Sequence, residues 1–173
     1  MKIIIINGMP QSGKDSFVEF AKDGDYPVYN FSTVDFVKAK ALELGWNGTK
    51  DERGRRFLSD LKDALSLYDD IPFKKVLEEI QKIKESNAVV FVHSREPKDI
   101  SHWVELTGAK TLLIRRSAAE DVEHDNHADT EVFDYDYDYV YSNSGDLEQF
   151  HNEAIKFVNW IGQKDWESNI SFI

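Results

Sequence analysis

At 173 residues, 41% apolar and 13% aromatic, the chain is long enough for one sizeable core and short for two, so a single domain over 1–173 is expected. Lys and Arg total 21 against 32 Asp and Glu; the formal charge of −11 disfavours nucleic acid and anionic membranes as partners except where cations cluster. Cysteine is absent, which excludes a disulfide framework or a thiolate metal site and makes a reducing cytoplasm the expected location.

Residues 2–7 hold a continuous β-branched run, Ile3 to Ile6, the pattern of a strand buried on both faces of a parallel sheet, and Gly8 breaks it. The run is far too short for a signal segment or for a membrane span of about 20 residues. A helix opens near Gly13, with Phe17, Val18, Phe20 and Ala21 at helical spacing, and Gly24 with Pro27 ends it. A short strand follows at 28–31. Ser32 is placed to cap a helix whose apolar stripe runs through Phe36, Val37, Ala41, Leu42 and Leu44 to Gly45. Residues 45–54 read as a loop. Phe57, Leu58, Leu61, Ala64, Leu65 and Tyr68 mark an amphipathic helix, Pro72 interrupts, and Val76, Leu77, Ile80 and Ile83 mark another.

A second apolar strand spans 88–92 and ends at His93. Pro97 starts a helix through Ile100, Trp103, Val104 and Leu106 that stops at Gly108, and a strand runs to Ile114. Trp46 and Trp103 read as packing residues. The acidic stretch 117–131 has almost no core-forming residue and reads as mobile. After it, Asp and Tyr alternate through 132–142, which predicts a half-buried strand with Tyr135, Tyr137, Tyr139 and Tyr141 on one face. A last helix covers 146–161. Strands alternating with helices imply an α/β domain with a mostly parallel sheet.

The chemistry concentrates at residues 7–16. Gly8, Gly13 and Lys14 have the spacing of the phosphate-binding P-loop, G-x-x-x-x-G-K-S/T, but Asp15 holds the last place. Strand, glycine loop and helix follow in the required order, so N–H groups of residues 9–15, Gln11, Ser12 and Gly13 among them, point into one concavity at a helix N-terminus. Lys14 adds a cation for the β- and γ-phosphates of ATP. Asp15 offers a hard oxygen donor suited to Mg²⁺, with Ser16 as a fallback hydroxyl.

The run Ser12-Gly13-Lys14-Asp15 resembles two groups of P-loop kinases: the phage-type deoxynucleoside monophosphate kinases and the animal-type phosphomevalonate kinases. Residues 31–39, 54–65, 91–106, 112–117 and 138–150 resemble further segments of those families in order, so the likeness covers roughly residues 2–160. It implies a three-layer P-loop kinase fold with a five-stranded sheet ordered 2-3-1-4-5, an acceptor-binding helical region at about 32–86 and a short lid at about 115–131. One departure is His93, which stands where the families carry an acidic residue near Mg²⁺; a neutral imidazole can hydrogen-bond a metal-bound water and so complement Asp15.

The resemblance also distributes the cations that phosphoryl transfer needs. Arg55 and Arg56 are expected to hold an acceptor monophosphate, although either alone reads nearly as well as a solvated charge. Arg95, at the carboxyl end of a buried strand, is expected to act in the site and to grip the acceptor with Arg55 and Arg56. Arg115 and Arg116 lead into the lid; at least one is expected to reach ATP, with simple exposure as the alternative for the other. Ser32 and Lys38 are acceptor-side candidates, with capping and a surface charge as their plain alternatives, and Asn143 lies near the expected adenine seat or is simply a turn residue. His124 and His127 among Asp121, Glu123, Asp125 and Asp129 have Zn²⁺-ligand types but read better as a solvated lid, where Asp129 is placed to meet a lid arginine. Nothing suggests hydrolysis through a Ser-His-Asp triad. The function expected is Mg²⁺- and ATP-dependent transfer to a nucleoside or deoxynucleoside 5′-monophosphate; a phosphomevalonate-type kinase and a nucleotide-binding sensor without turnover remain open.

Overall fold

The first strand, β1 (Lys2–Asn7), is buried along its whole length, as the β-branched run requires. It lies between β3 (Val89–His93) and β4 (Lys110–Arg115), parallel to both, and β4 pairs in parallel with β5 (Tyr139–Ser142). With β2 (Val28–Ser32) at the far edge, the sheet order is 2-3-1-4-5, as the resemblance implied. Among the described residues the helices are α1 (Lys14–Ala21), α2 (Thr33–Glu43), α3 (Glu52–Asp69), α4 (Ile71–Gln81), α5 (Pro97–Thr107) and α6 (Leu147–Gly162). The structure, a computed structural model, describes residues 1–117 and 131–170. Asp129 and the His124/His127 pair lie outside the described residues.

The chain divides into two compact units, residues 31–84 and the remainder. In the larger unit, alternate strand residues face opposite sides of the sheet. Ile4, Ile6, Phe91, Leu112 and Ile114 share one core with Phe17 and Val18 of α1 and Phe150, Ala154 and Val158 of α6. Ile3, Ile5, Val90 and Val92 are equally buried, so both sides of β1 and β3 are covered. Phe17 touches Phe91, Tyr141, Phe150 and Phe157, with ring centroids 5.6 to 6.4 Å away. This ring pins the first turn of α1 to the sheet; truncating such a side chain to Ala typically costs about 3–5 kcal/mol. On α5, Ile100 and Trp103 are buried, and Trp103 packs as expected.

In the smaller unit, α2, α3 and α4 pack on one another. The expected loop at 45–54 is too long: α3 begins at Glu52, because the Asp51 carboxylate accepts the Gly54 N–H at 2.7 Å and caps the first turn. Trp46 closes that turn by donating from Nε1 to the Thr49 carbonyl. The apolar stripes of α2 and α3 are also less buried than their spacing predicts, with Leu44 68% and Tyr68 83% exposed. Periodicity identifies an apolar face but does not guarantee that anything covers all of it.

The alternating Asp-Tyr stretch corrects the sequence reading most. Only Tyr139–Ser142 is strand, and Glu131–Phe133 forms a 3₁₀ turn. Asp138 explains where pairing starts. Its Oδ2 accepts from the N–H and the hydroxyl of Thr111, and its own N–H donates to Thr111 Oγ1. Tyr135 and Tyr137 lie before the strand, and their rings meet edge to face at 5.2 Å.

Candidate functional site

The loop between β1 and α1 is shaped by backbone conformations that few side chains tolerate. Gly8 has φ +153° and Gly13 φ +101°. A Cβ on Gly8 would overlap the Ile114 carbonyl oxygen, and one on Gly13 would lie 2.9 Å from Asn143 Nδ2 and 3.0 Å from the Phe150 ring. Gly8 is therefore required by space as well as by φ, and Gly13 chiefly by φ. Gln11 adopts φ +63° without being glycine, a conformation an L-residue holds only when its surroundings impose it.

Lys14 is buried in the first turn of α1. Its Nζ donates to the Gly8 carbonyl at 2.7 Å and the Met9 carbonyl at 2.9 Å, so the ammonium lies inside the loop's curve. Gly13 occupies the N-cap and no side chain caps the helix, whereas α3 and α6 are closed by Asp51 and Asp146. The first amides of a helix have no intrahelical acceptor, and at the start of α1 no side chain serves as one, as is also true of α2, α4 and α5. Ser12 is fully buried, and its Oγ has no hydrogen-bond partner among the described residues. These features fit a phosphate chain: a cradle a Cβ would fill, uncapped amides, an ammonium and an unpaired hydroxyl.

Asp15, by contrast, is 94% exposed, and its Oδ1 lies 3.8 Å from Nε2 of His93 at the end of β3. The register explains the approach, since His93 pairs with Ile6 one residue before the strand ends. A single outward carboxylate suits a hydrated Mg²⁺, which keeps several of its waters. Among the described residues, no group of three or more acidic or His side chains is placed to hold a metal by itself.

The carboxyl edge of the sheet brings other expected residues to this loop. Asn143 donates from its backbone N–H to the Arg115 carbonyl at 2.7 Å and from Nδ2 to the Ser12 carbonyl at 3.0 Å, so it braces the loop against the end of β4. Arg115 lays its guanidinium over the Phe133 ring, 5.1 Å from the centroid. Arg116 is exposed just beyond β4, and Ser16 is exposed on α1. Arg95 has an exposed side chain, while its carbonyl accepts from Asn7 Nδ2 at 3.0 Å.

Four expected residues, Ser32, Lys38, Arg55 and Arg56, belong to the helical unit. Ser32 is the N-cap residue of α2 but makes no side-chain cap bond, so the capping alternative fails. Lys38 pairs with Asp35 at 2.8 Å, and Arg56 approaches Asp60 at 3.8 Å. Arg55 and Arg56 are exposed in the opening turns of α3.

Sequence reasoning passed over Asn7 and Tyr137. Asn7 ends a run of four isoleucines and is wholly buried; a polar residue closing so apolar a strand was the available signal. Tyr137 had been assigned to a strand face. Its phenol accepts from Asn7 Nδ2 at 2.7 Å and donates to the Val132 carbonyl at 2.8 Å. Burial pushes the phenol up to about 12, against a smaller lowering by the Asn7 bond.

A dephospho-CoA kinase from Campylobacter jejuni superposes on the chain with a TM-score of 0.52 at 15% identity, covering 92% of this chain and 97% of that one. The chain has the P-loop kinase fold. A sugar kinase from Janibacter (TM-score 0.44, 10% identity, 92% and 95% covered) and a shikimate kinase from Bacteroides thetaiotaomicron (0.43, 12%, 92% and 97%) are more distant in shape. No family model matches the sequence, and no curated protein matches it. No helix among the described residues is long and apolar enough to cross a membrane.

Proposed function

We propose that the protein is an ATP-dependent phosphotransferase that phosphorylates a nucleoside or deoxynucleoside 5′-monophosphate. The observation that carries the reading is the loop of residues 8–14, in which an uncapped helix N-terminus and the Lys14 ammonium converge inside a turn fixed by Gly8 and Gly13. The kinases that share the fold support phosphoryl transfer to a small molecule, and the residue pattern at 12–15 favours a monophosphate acceptor.

In this reading the amides at the start of α1 receive the donor phosphates, and Lys14 leaves the Gly8 and Met9 carbonyls to follow the charge on the transferred group. Ser12 Oγ supplies a further hydrogen bond. Asp15 is the proposed contact for Mg²⁺, which when bound neutralises phosphate charge, and His93 is proposed to orient one of its waters. Arg95, Arg115 and Arg116 are assigned to phosphate charge at the carboxyl edge of the sheet. Asn143 holds Ser12 in place and is proposed to approach adenine. On the acceptor side, the proposal assigns Arg55 and Arg56 to the monophosphate and Ser32 and Lys38 to its surroundings. An acceptor phosphate is already nucleophilic, so alignment and charge neutralisation suffice without a strong base.

The test is to incubate the protein with Mg-ATP and a panel of nucleoside and deoxynucleoside monophosphates, phosphomevalonate and dephospho-CoA, and to count ADP with and without each acceptor. ADP formed only with a nucleoside monophosphate supports the reading. Turnover with another member moves the assignment to that acceptor, and ATP binding without ADP from any of them defeats it.

A further inference from the structure

A buried carboxamide must place two N–H donors and an oxygen, and Asn7 places all three. Its Nδ2 donates to the Arg95 carbonyl at 3.0 Å and to Tyr137 Oη at 2.7 Å, and its Oδ1 accepts the Gly8 N–H at 2.8 Å. Tyr137 Oη passes the chain on to the Val132 carbonyl at 2.8 Å. Partner chemistry permits one direction only. The carbonyls of Arg95 and Val132 can only accept and the Gly8 N–H can only donate, so the amide cannot flip and the phenol must accept from Asn7 while donating to Val132.

Tyr137 also reaches the loop through its ring. The ring packs on a small core of Met9, Leu113 and Val132, in which Met9 belongs to the phosphate loop. Its neutral form persists through ordinary pH, so the proton given to Val132 stays available. Asn7 is thus held from three sides, and the residue it holds, Gly8, starts the turn whose carbonyls receive Lys14.

We propose that Tyr137 is a positioning residue for the phosphate loop: through Asn7 it fixes the Gly8 N–H and so the turn that aims the Gly8 and Met9 carbonyls at the Lys14 ammonium. The consequence for ATP rests on the donor-site reading above, whereas the consequence for Gly8 does not.

Tyr137→Phe keeps the ring and removes one oxygen, and three measurements read it. Amide exchange at Gly8, followed by NMR, should quicken relative to amides of β1. ATP affinity, by calorimetry, should weaken about threefold to tenfold, the range for one hydrogen bond. In an Asn7→Ala background, Tyr137→Phe should add little, because a residue acting through Asn7 has nothing left to act on. Unchanged Gly8 exchange in folded Tyr137→Phe overturns the proposal, as does a full effect persisting without the Asn7 side chain. A wild-type protein that binds no ATP defeats the donor-site reading, and Gly8 exchange then decides the positioning claim alone. Should Tyr137→Phe fail to fold, Tyr137→Leu replaces it. A leucine offers Asn7 no hydroxyl, so Gly8 exchange must quicken there too, and if it does not the proposal falls.

Discussion

The end of β1 and the helical unit of residues 31–84 use polar residues in opposite ways. At the end of β1 and the start of α1, three polar residues, Asn7, Ser12 and Lys14, are buried, and a Cβ on Gly8 would overlap a backbone carbonyl. In the helical unit, the charged side chains form exposed pairs three or four residues apart, such as Lys40 with Glu43 and Lys75 with Glu78. Such pairs are typically worth about 0.3–0.5 kcal/mol each. The geometry of the loop therefore tolerates little substitution, whereas the exposed charges on the helices are free to be rearranged.

The sharpest way to break this contrast is at Lys14. Lys14→Met keeps the length and apolar stem but leaves the Gly8 and Met9 carbonyls without their donor. ATP-dependent kcat/KM is expected to fall about 10²–10³-fold, the scale of losing one preorganised charge at a transition state. Thermal unfolding should drop by an amount corresponding to about 1–3 kcal/mol. If steady-state kinetics and calorimetry show ATP handling unchanged, the loop is not the donor site.

Asp15 stands at the border between the two regimes, attached to the committed loop yet almost fully exposed. Asp15→Asn removes charge without altering shape. Half-saturating Mg²⁺ is expected to rise about tenfold, the lower end of what lost metal-site partners cost, with melting temperature unchanged. An unchanged Mg²⁺ titration would remove Asp15 from the metal and leave its 3.8 Å approach to His93 without a functional role.

On the helical side, Arg55→Ala and Arg56→Ala sharpen the comparison through specificity. At least one is expected to raise acceptor KM about threefold to tenfold with ATP KM unaltered, while stability moves by no more than about 0.5 kcal/mol. An equal rise in both KM values would show that these arginines do not discriminate the acceptor.

The same contrast governs what could be read without coordinates. The order of strands and helices and the glycine loop were legible, because buried parallel strands are continuous apolar runs and a P-loop leaves fixed spacings, whereas the sheet order followed only from the family resemblance. The extent of β5 was not, because the Asp-Tyr alternation satisfies the strand pattern whether or not a ladder forms, and the reciprocal bonds of Asp138 with Thr111 place its start. Asn7 and Tyr137 lie 130 positions apart, a separation no local pattern bridges. For Arg55 and Arg56 the difficulty is physical: an exposed arginine has the same sequence signature whether it grips a phosphate or faces water.

The smallest effect concerns how the two units respond to acid. Burial pushes the Asp138 carboxyl up, but the hydrogen bond from Lys110 and those from the Thr111 backbone and side chain outweigh it, and the net result lies below the ordinary carboxylate range. A carboxyl depressed in the folded state contributes stability that is present above its unfolded value and is lost as pH falls through its folded value. The partner shift has the opposite window: Lys110, raised by the hydrogen bond and charge of Asp138, contributes below its unfolded value and loses that contribution as strongly alkaline pH passes the raised one. Acid should therefore loosen the joint between β4 and β5 before it affects the helices, whose exposed pairs carry little stability. Amide exchange measured from neutral pH downward, corrected for the intrinsic rate, is expected to show protection at Thr111 and Asp138 falling first, and Asp138→Asn should remove that pH dependence. If the amides of α3 lose protection earlier, the helical unit rather than the strand edge is the acid-sensitive part of the molecule.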